Sequence, residues 1–160
     1  LGMVEVPVPV GRATNFQPTI ELLEEAARQA GGPLAGLVVA SPSNPTGTML
    51  DPEELERLCH YCHTKGIRFI SDEIYHGITY GTRAQATAVR YSDSAMVINS
   101  FSKYHCMTGW RIGWNVVPQD LVSAFNIIQQ NAYINAPTVA QVAALAAIDC
   151  VAELDGNVDT

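Results

Sequence analysis

The sequence predicts an α/β domain: a mainly parallel sheet with helices on both faces. Three observations carry this reading. The runs Gly36 to Ala40, Ile67 to Ser71 and Ala95 to Asn99 are short and largely apolar, without the strict alternation of a half-exposed strand, so they suit strands covered on both sides. Segments with helical spacing and clear start and stop signals are interleaved with such runs, and strand alternating with helix implies parallel pairing. Each run also leads straight into a polar segment, as expected where ligands meet the carboxyl ends of parallel strands.

Taken in order, Met3 to Val10 alternates apolar residues with Glu5, Pro7 and Pro9, which predicts a short strand near a sheet edge. Thr19 caps a helix with Ile20, Leu23, Ala27 and Ala30 on one face, and Gly31-Gly32-Pro33 stops it. Gly36 to Ala40 is the first covered strand, ending in SPSNPTG. Asp51-Pro52-Glu53-Glu54 then supplies a cap, a proline at the first helical position and a carboxylate three residues past the cap. Leu55, Leu58, Cys59 and Cys62 share that helix's apolar face, and Gly66 ends it. Ile67 to Ser71 runs into Asp72-Glu73-Ile74-Tyr75. Gly81 to Ser94 reads as connection, and Ala95 to Asn99 as the third covered strand. Arg111 to Val117 predicts another strand, and Pro118 a helix with Leu121, Phe125 and Ile128 on one face. Pro137 opens a long alanine-rich helix, Thr138 to about Ala152, apolar on most sides and therefore expected to be covered.

At 160 residues the chain is one ordinary domain. Charged residues make up only 16% against 48% hydrophobic, so much of the surface is expected to be buried. The net charge of −7 argues against nucleic acid and anionic membranes as partners, so any anion site must be local. No run approaches the ~18 apolar residues of a membrane span, and the default expectation is a cytoplasmic protein. Four cysteines are too sparse for a disulfide scaffold. Cys59-His60-Tyr61-Cys62-His63 has the pattern of covalent haem attachment, but both cysteines fall on the apolar face of a well-capped helix and read as small buried hydrophobes, so no metal site is expected.

The chain has two lysines. Lys65 lies in the last turn of a predicted helix, where a cation offsets the helix dipole. Lys103 follows the third strand among hydroxyls. Three successive strands end in SPSNPTG, SDEIY and NSFSK, so Asn44, Asp72 and Lys103 should converge although they lie 28 and 31 residues apart (72 − 44 and 103 − 72). An amine, a carboxylate, a phenol, an amide, two hydroxyls and the guanidinium of Arg111 match the needs of pyridoxal 5'-phosphate. A lysine holds its aldehyde as a Schiff base, and a carboxylate facing the pyridine nitrogen keeps the ring an electron sink.

From about Val4 to Ile148 the chain resembles the large domain of fold-type I pyridoxal-phosphate enzymes, specifically the class I and II aminotransferases. The matching stretches are SPSNPTG (41 to 47), SDEIYHGITYG (71 to 81) and NSFSKYHCMTGWRIGW (99 to 114). The resemblance implies that Lys103 forms the Schiff base and that Asp72 pairs with the pyridine nitrogen. Tyr75 and Asn44 would bond the phenolate oxygen, and Ser100, Ser102 and Arg111 the phosphate. Lys103 would also carry the proton between the substrate α-carbon and the cofactor, as an amino group passes between an amino acid and a 2-oxo acid. His76 and His105 flank the site and are expected to be structural or supporting.

Family members are much longer, so residues 1–160 are expected to be a partial pyridoxal-phosphate-binding large domain, truncated at both ends. The first strands, the phosphate loop and the small domain with its substrate-gripping arginine are absent. In the family's strand order a strand lies between those corresponding to Met3–Val10 and Gly36–Ala40, and its absence implies a gap or a new pairing. The family is typically dimeric, so a homo-oligomer is expected. A β-lyase of the same fold would use these same cofactor residues, and a non-catalytic cofactor-binding or interaction domain would dispense with the missing arginine.

Overall fold

The computed structural model describes residues 2–160. Four strands, β1 (Gly36–Ala40), β2 (Arg68–Asp72), β3 (Met96–Ser100) and β4 (Gly113–Val116), form one sheet in the order β1-β2-β3-β4. β1, β2 and β3 are mutually parallel, and β4 is antiparallel to β3. This is the predicted α/β architecture. The register pairs Ala40 with Asp72 and Asp72 with Ile98, while β3 runs on to Ser100. The carboxyl edge is therefore stepped, and the third polar segment leaves it furthest out.

Five helices accompany the sheet: α1 (Ile20–Gln29), α2 (Pro52–Lys65), α3 (Val122–Ala132), α4 (Thr138–Ala147) and α5 (Val151–Val158). α1 begins as expected, with Thr19 Oγ1 accepting the Leu22 N–H. In α2 the Asp51 N–H donates to Glu54 Oε2 at 3.1 Å within a capping box, Pro52 occupies the first turn, and Gly66 closes the helix in the left-handed conformation. Both helices press one face of the sheet. Leu23, Leu55, Leu58, Cys59 and Cys62 pack with Leu37, Val39, Phe69 and Val97 in the main core. Full burial of a side chain such as Phe69 or Leu23 contributes about 1.5–3 kcal/mol.

The opposite face is thinly covered. Phe101, Met107 and Ala144 form a second, smaller cluster where α4 meets the turn after β3. Val38 and Ile98 remain open to solvent.

Several boundaries differ from expectation. Met3 to Val10 forms no strand, and Met3 and Val4 are exposed. Pro7 and Pro9 withhold two donors, and no strand lies alongside: a cavity of about 1060 Å³ separates residues 2–10 from β1. A gap, not a new pairing, fills the place between them. The second and third strands begin one residue late because the Ile67 N–H closes onto Cys62 at the end of α2 and the Ala95 N–H onto Ser92. β4 begins two residues late because Arg111 takes left-handed dihedrals at the end of a 3₁₀ turn, Thr108–Trp110.

The helix expected after Pro118 starts as a 3₁₀ turn and continues as α3, on which Ile128 is exposed. The long alanine-rich helix is two helices, α4 and α5. Asp149 and Cys150 bond three residues back, tightening the chain out of α-geometry between them. Ala140 and Ala144 are buried, but Val139, Val142 and Leu145 face solvent, so α4 is covered on one side only.

Candidate active site

The three polar segments leave the same edge of the sheet and are fixed before any ligand is considered. The segment after β1 folds back on itself, with the Ser43 N–H donating to the Thr48 carbonyl at 2.9 Å and the Gly47 N–H to that of Ser43 at 2.7 Å. Ser41 Oγ accepts the Leu50 N–H at 3.0 Å, and the buried Gln17 side chain donates to the Thr48 carbonyl at 3.0 Å. This turn presents Asn44. After β2, Asp72 Oδ1 accepts the Ile74 N–H at 3.1 Å, and the following turn presents Tyr75.

After β3, the Ser102 N–H donates to Ser100 Oγ at 3.0 Å, and the Cys106 N–H to the Lys103 carbonyl at 2.9 Å. Ser100 Oγ also lies 3.0 Å from Ser102 Oγ and 3.1 Å from the Ile112 carbonyl. Because Ser100 accepts the Ser102 N–H, the turn holds both hydroxyls side by side. Thr108 Oγ1 donates to the Ser102 carbonyl at 2.8 Å, and Arg111 Nη1 donates to the Thr108 carbonyl at 3.0 Å.

Three predicted residues meet directly. Asn44 Nδ2 donates to Tyr75 Oη at 3.3 Å, and Lys103 Nζ sits 5.5 Å from the centre of the Tyr75 ring, within cation–π range. Ser100 and Ser102 form a second pair. Asp72 occupies the last position of β2, between Ala40 and Ile98 in register. Arg111 is joined to the serine turn through Thr108, with no hydrogen bond from its guanidinium to either serine among the described residues.

Glu73 was not singled out in the sequence, yet it organises this edge. It is only 2% exposed, and its carboxylate accepts the Ser71 hydroxyl at 3.0 Å and the Ala88 N–H at 2.8 Å, with His76 Nδ1 at 3.3 Å. Its backbone N–H donates to Ile98 on β3. A buried carboxylate is tolerable only with partners of this kind. The available signal was its place directly after Asp72, where strand alternation sends consecutive side chains to opposite faces.

Both histidines support the surroundings. Burial lowers the pKa of His76, opposed by the Glu73 charge and the Ser41 backbone. Burial also lowers that of His105, whose ring packs 4.6 Å from Phe101 and 5.1 Å from Tyr104. Cys59 and Cys62 lie in the main core, where burial raises their thiols to about 12 and about 11, so packing accounts for both. Among the described residues no group of three or more His, Cys, Asp or Glu is placed to hold a metal ion, and no helix is long and apolar enough to cross a membrane.

A mainly parallel sheet of an α/β domain thus carries an amine, a carboxylate, a phenol–amide pair and two serines at one edge. Comparison with known proteins gives the particular family. The family model for aminotransferase class I and II matches residues 2–160, and the chain belongs to that family. It is 46% identical over 160 residues to a valine–pyruvate aminotransferase of Mycobacterium tuberculosis, covering 98% of this chain and 40% of that protein. It is 36% identical over 150 residues to an aspartate aminotransferase of Geobacillus stearothermophilus, covering 91% of this chain and 37% of that one.

Among solved structures, an aminotransferase from M. tuberculosis superposes with a TM-score of 0.88 at 45% identity, over 95% of this chain and 41% of that one. Aspartate aminotransferase from Thermus thermophilus with maleate gives 0.79 at 28% identity, over 93% and 40%. The chain thus spans about two fifths of the length of these relatives.

Proposed function

We propose that this chain is the cofactor-holding core of a pyridoxal 5'-phosphate-dependent aminotransferase, which moves an amino group between an amino acid and a 2-oxo acid. The observation that carries the proposal is Lys103 Nζ above the Tyr75 ring, with Asn44 on the Tyr75 hydroxyl. The donor set fits the cofactor. Asn44 donates to Tyr75 Oη, which leaves the Tyr75 hydroxyl proton and the second amide proton of Asn44 free for another acceptor, such as a ring oxygen. Asp72 supplies a carboxylate for a pyridinium nitrogen. Ser100, Ser102 and Arg111 supply hydroxyls and a guanidinium for a phosphate dianion. When bound, pyridoxal phosphate provides an aldehyde and a ring that accepts electron density.

The remaining chemistry belongs to the chain. Lys103 Nζ would hold the aldehyde and would carry a proton to and from the substrate α-carbon. Tyr75 and Asn44 would orient the ring by its oxygen, Asp72 would keep its nitrogen protonated, and the serine turn with Arg111 would anchor the phosphate end. The valine–pyruvate relative supports an amino acid and a 2-oxo acid as the substrate pair. Because this chain spans two fifths of that protein, turnover is proposed for the core completed by the rest of such a protein. A cytoplasmic homo-oligomer suits the four free cysteines and the open apolar side of α4.

Spectroscopic titration tests the proposal. Wild type and Lys103→Ala are titrated with pyridoxal phosphate, and absorbance is followed before and after borohydride. A band in wild type only, made permanent by reduction, is the expected result. Equal spectra from the two proteins would refute the role of Lys103.

A further inference from the structure

Lys103 takes its position from its neighbour. The Lys103 ammonium makes no hydrogen bond or ion pair among the described residues, and its one placed contact is the Tyr75 ring. Tyr104, the next residue, is held at several points. Its ring lies against Gly77, where an added Cβ would fall 2.6 Å from Tyr104 Cδ2 and 2.8 Å from Cγ. Gly77 has φ of +87°, so glycine is required there both for the backbone and for the approach of the ring.

The far end of Tyr104 is also tied down. Its hydroxyl donates to Asp155 Oδ1 of α5 at 2.6 Å, and this bond is the main cause raising its pKa to about 12. His105 meets the ring edge-on at 5.1 Å. Gly77 is fixed independently, because its N–H donates to Gln85 Oε1 at 3.0 Å. Consecutive residues 103 and 104 therefore meet residues 75 and 77, making a two-point registration of the lysine turn on the segment after β2.

We propose that Tyr104 is a positioning residue: its ring, seated on Gly77, sets Lys103 Nζ over Tyr75. A long lysine side chain held by one weak contact samples many rotamers, so fixing the backbone from which it springs narrows where the amine can reach. The Asp155 bond steadies the ring but is not what seats it. This inference rests on reading Lys103 as the cofactor-attaching amine, and the two fail separately. No attachment of pyridoxal phosphate to wild-type Lys103 sinks that reading, whereas cofactor-free amine labelling tests the positioning.

The chain's other lysine, Lys65, is the internal reference. Trace acetic anhydride labels both amines, and peptide mapping gives the Lys103-to-Lys65 ratio across pH. Tyr104→Ala and Gly77→Ala should each shift this ratio by about threefold or more, the scale of losing a weakly exposed cation–π contact. Both should weaken borohydride-trapped attachment of pyridoxal phosphate. The double variant should fall well short of the product of the two single effects, because the ring contact is lost only once and Gly77→Ala adds only its backbone cost at positive φ. Tyr104→Phe keeps the ring and should stay within about twofold of wild type. Circular dichroism confirms that each variant is folded, and the Phe variant decides the matter if the Ala variant is not. A wild-type ratio in folded Tyr104→Ala, multiplicative effects in the double variant, or a full loss in Tyr104→Phe would each overturn the assignment.

Discussion

On one face of the sheet, α1 and α2 bury Leu23, Leu58 and Cys62 against Phe69 and Val97; on the other, α4 packs in a small cluster with Phe101, Met107 and the partly buried Ile112, and Val38 and Ile98 stay open. The first face is a complete core, with capped helices whose apolar stripes match the strands beneath them. The second is a partial layer over the base of the candidate site. Folding free energy is thus concentrated on the side away from the Lys103 turn, and the site edge relies on hydrogen bonds, glycine contacts and the buried Glu73.

The contrast can be broken at several points, the largest effect lying in the main core. Phe69→Ala should cost about 3–5 kcal/mol, read from the denaturant midpoint, and a loss under about 1 kcal/mol would deny that this face dominates. Next is Gly113, opposite Ser100 in the β3–β4 pair, where an added Cβ would lie 2.6 Å from the Asn99 carbonyl. Gly113→Ala should cost about 1–3 kcal/mol and speed hydrogen exchange in β4 more than in β1; uniform exchange would contradict it.

A smaller effect comes from the histidines. His76 and His105 have pKa values lowered in the folded state, so the unfolded chain binds the proton more readily. Their contribution is present above the unfolded value of about 6.5 and is lost as pH falls below it. His76→Gln should reduce the loss of stability between pH 8 and pH 5 without abolishing it, since His105 acts in the same direction. An unchanged slope would rule out His76 as a contributor. Least affected is the open side of α4 within one chain: at concentrations where the chain is monomeric, Leu145→Ala should change stability by no more than about 0.5 kcal/mol, and a larger loss there would mean that the residue is covered within its own chain.

The same contrast explains what could be read from the sequence. Covered strands, Thr19, the Asp51–Glu54 capping box and Gly66 announce themselves because propensity, pattern and burial agree there. Asn44, Tyr75 and Lys103 were legible because parallel strands deliver their carboxyl ends to one edge. Met3 to Val10 was misread because alternation makes a strand only when a neighbour offers its edge. Arg111 was legible as a cation, but its left-handed backbone was not. Glu73 and Tyr104 act through partners far along the chain, Ala88 and Gly77, which no local pattern reveals.

The central claim is that Lys103 is the amine around which this edge is built. Incubation with pyridoxal phosphate, borohydride reduction and peptide mapping by mass tests it most directly, because Lys65 is the only competing side-chain amine. The account predicts one label, on the peptide carrying Lys103, at cofactor concentrations that leave Lys65 unmodified. Equal labelling of both lysines, or labelling of Lys65 alone, would contradict it.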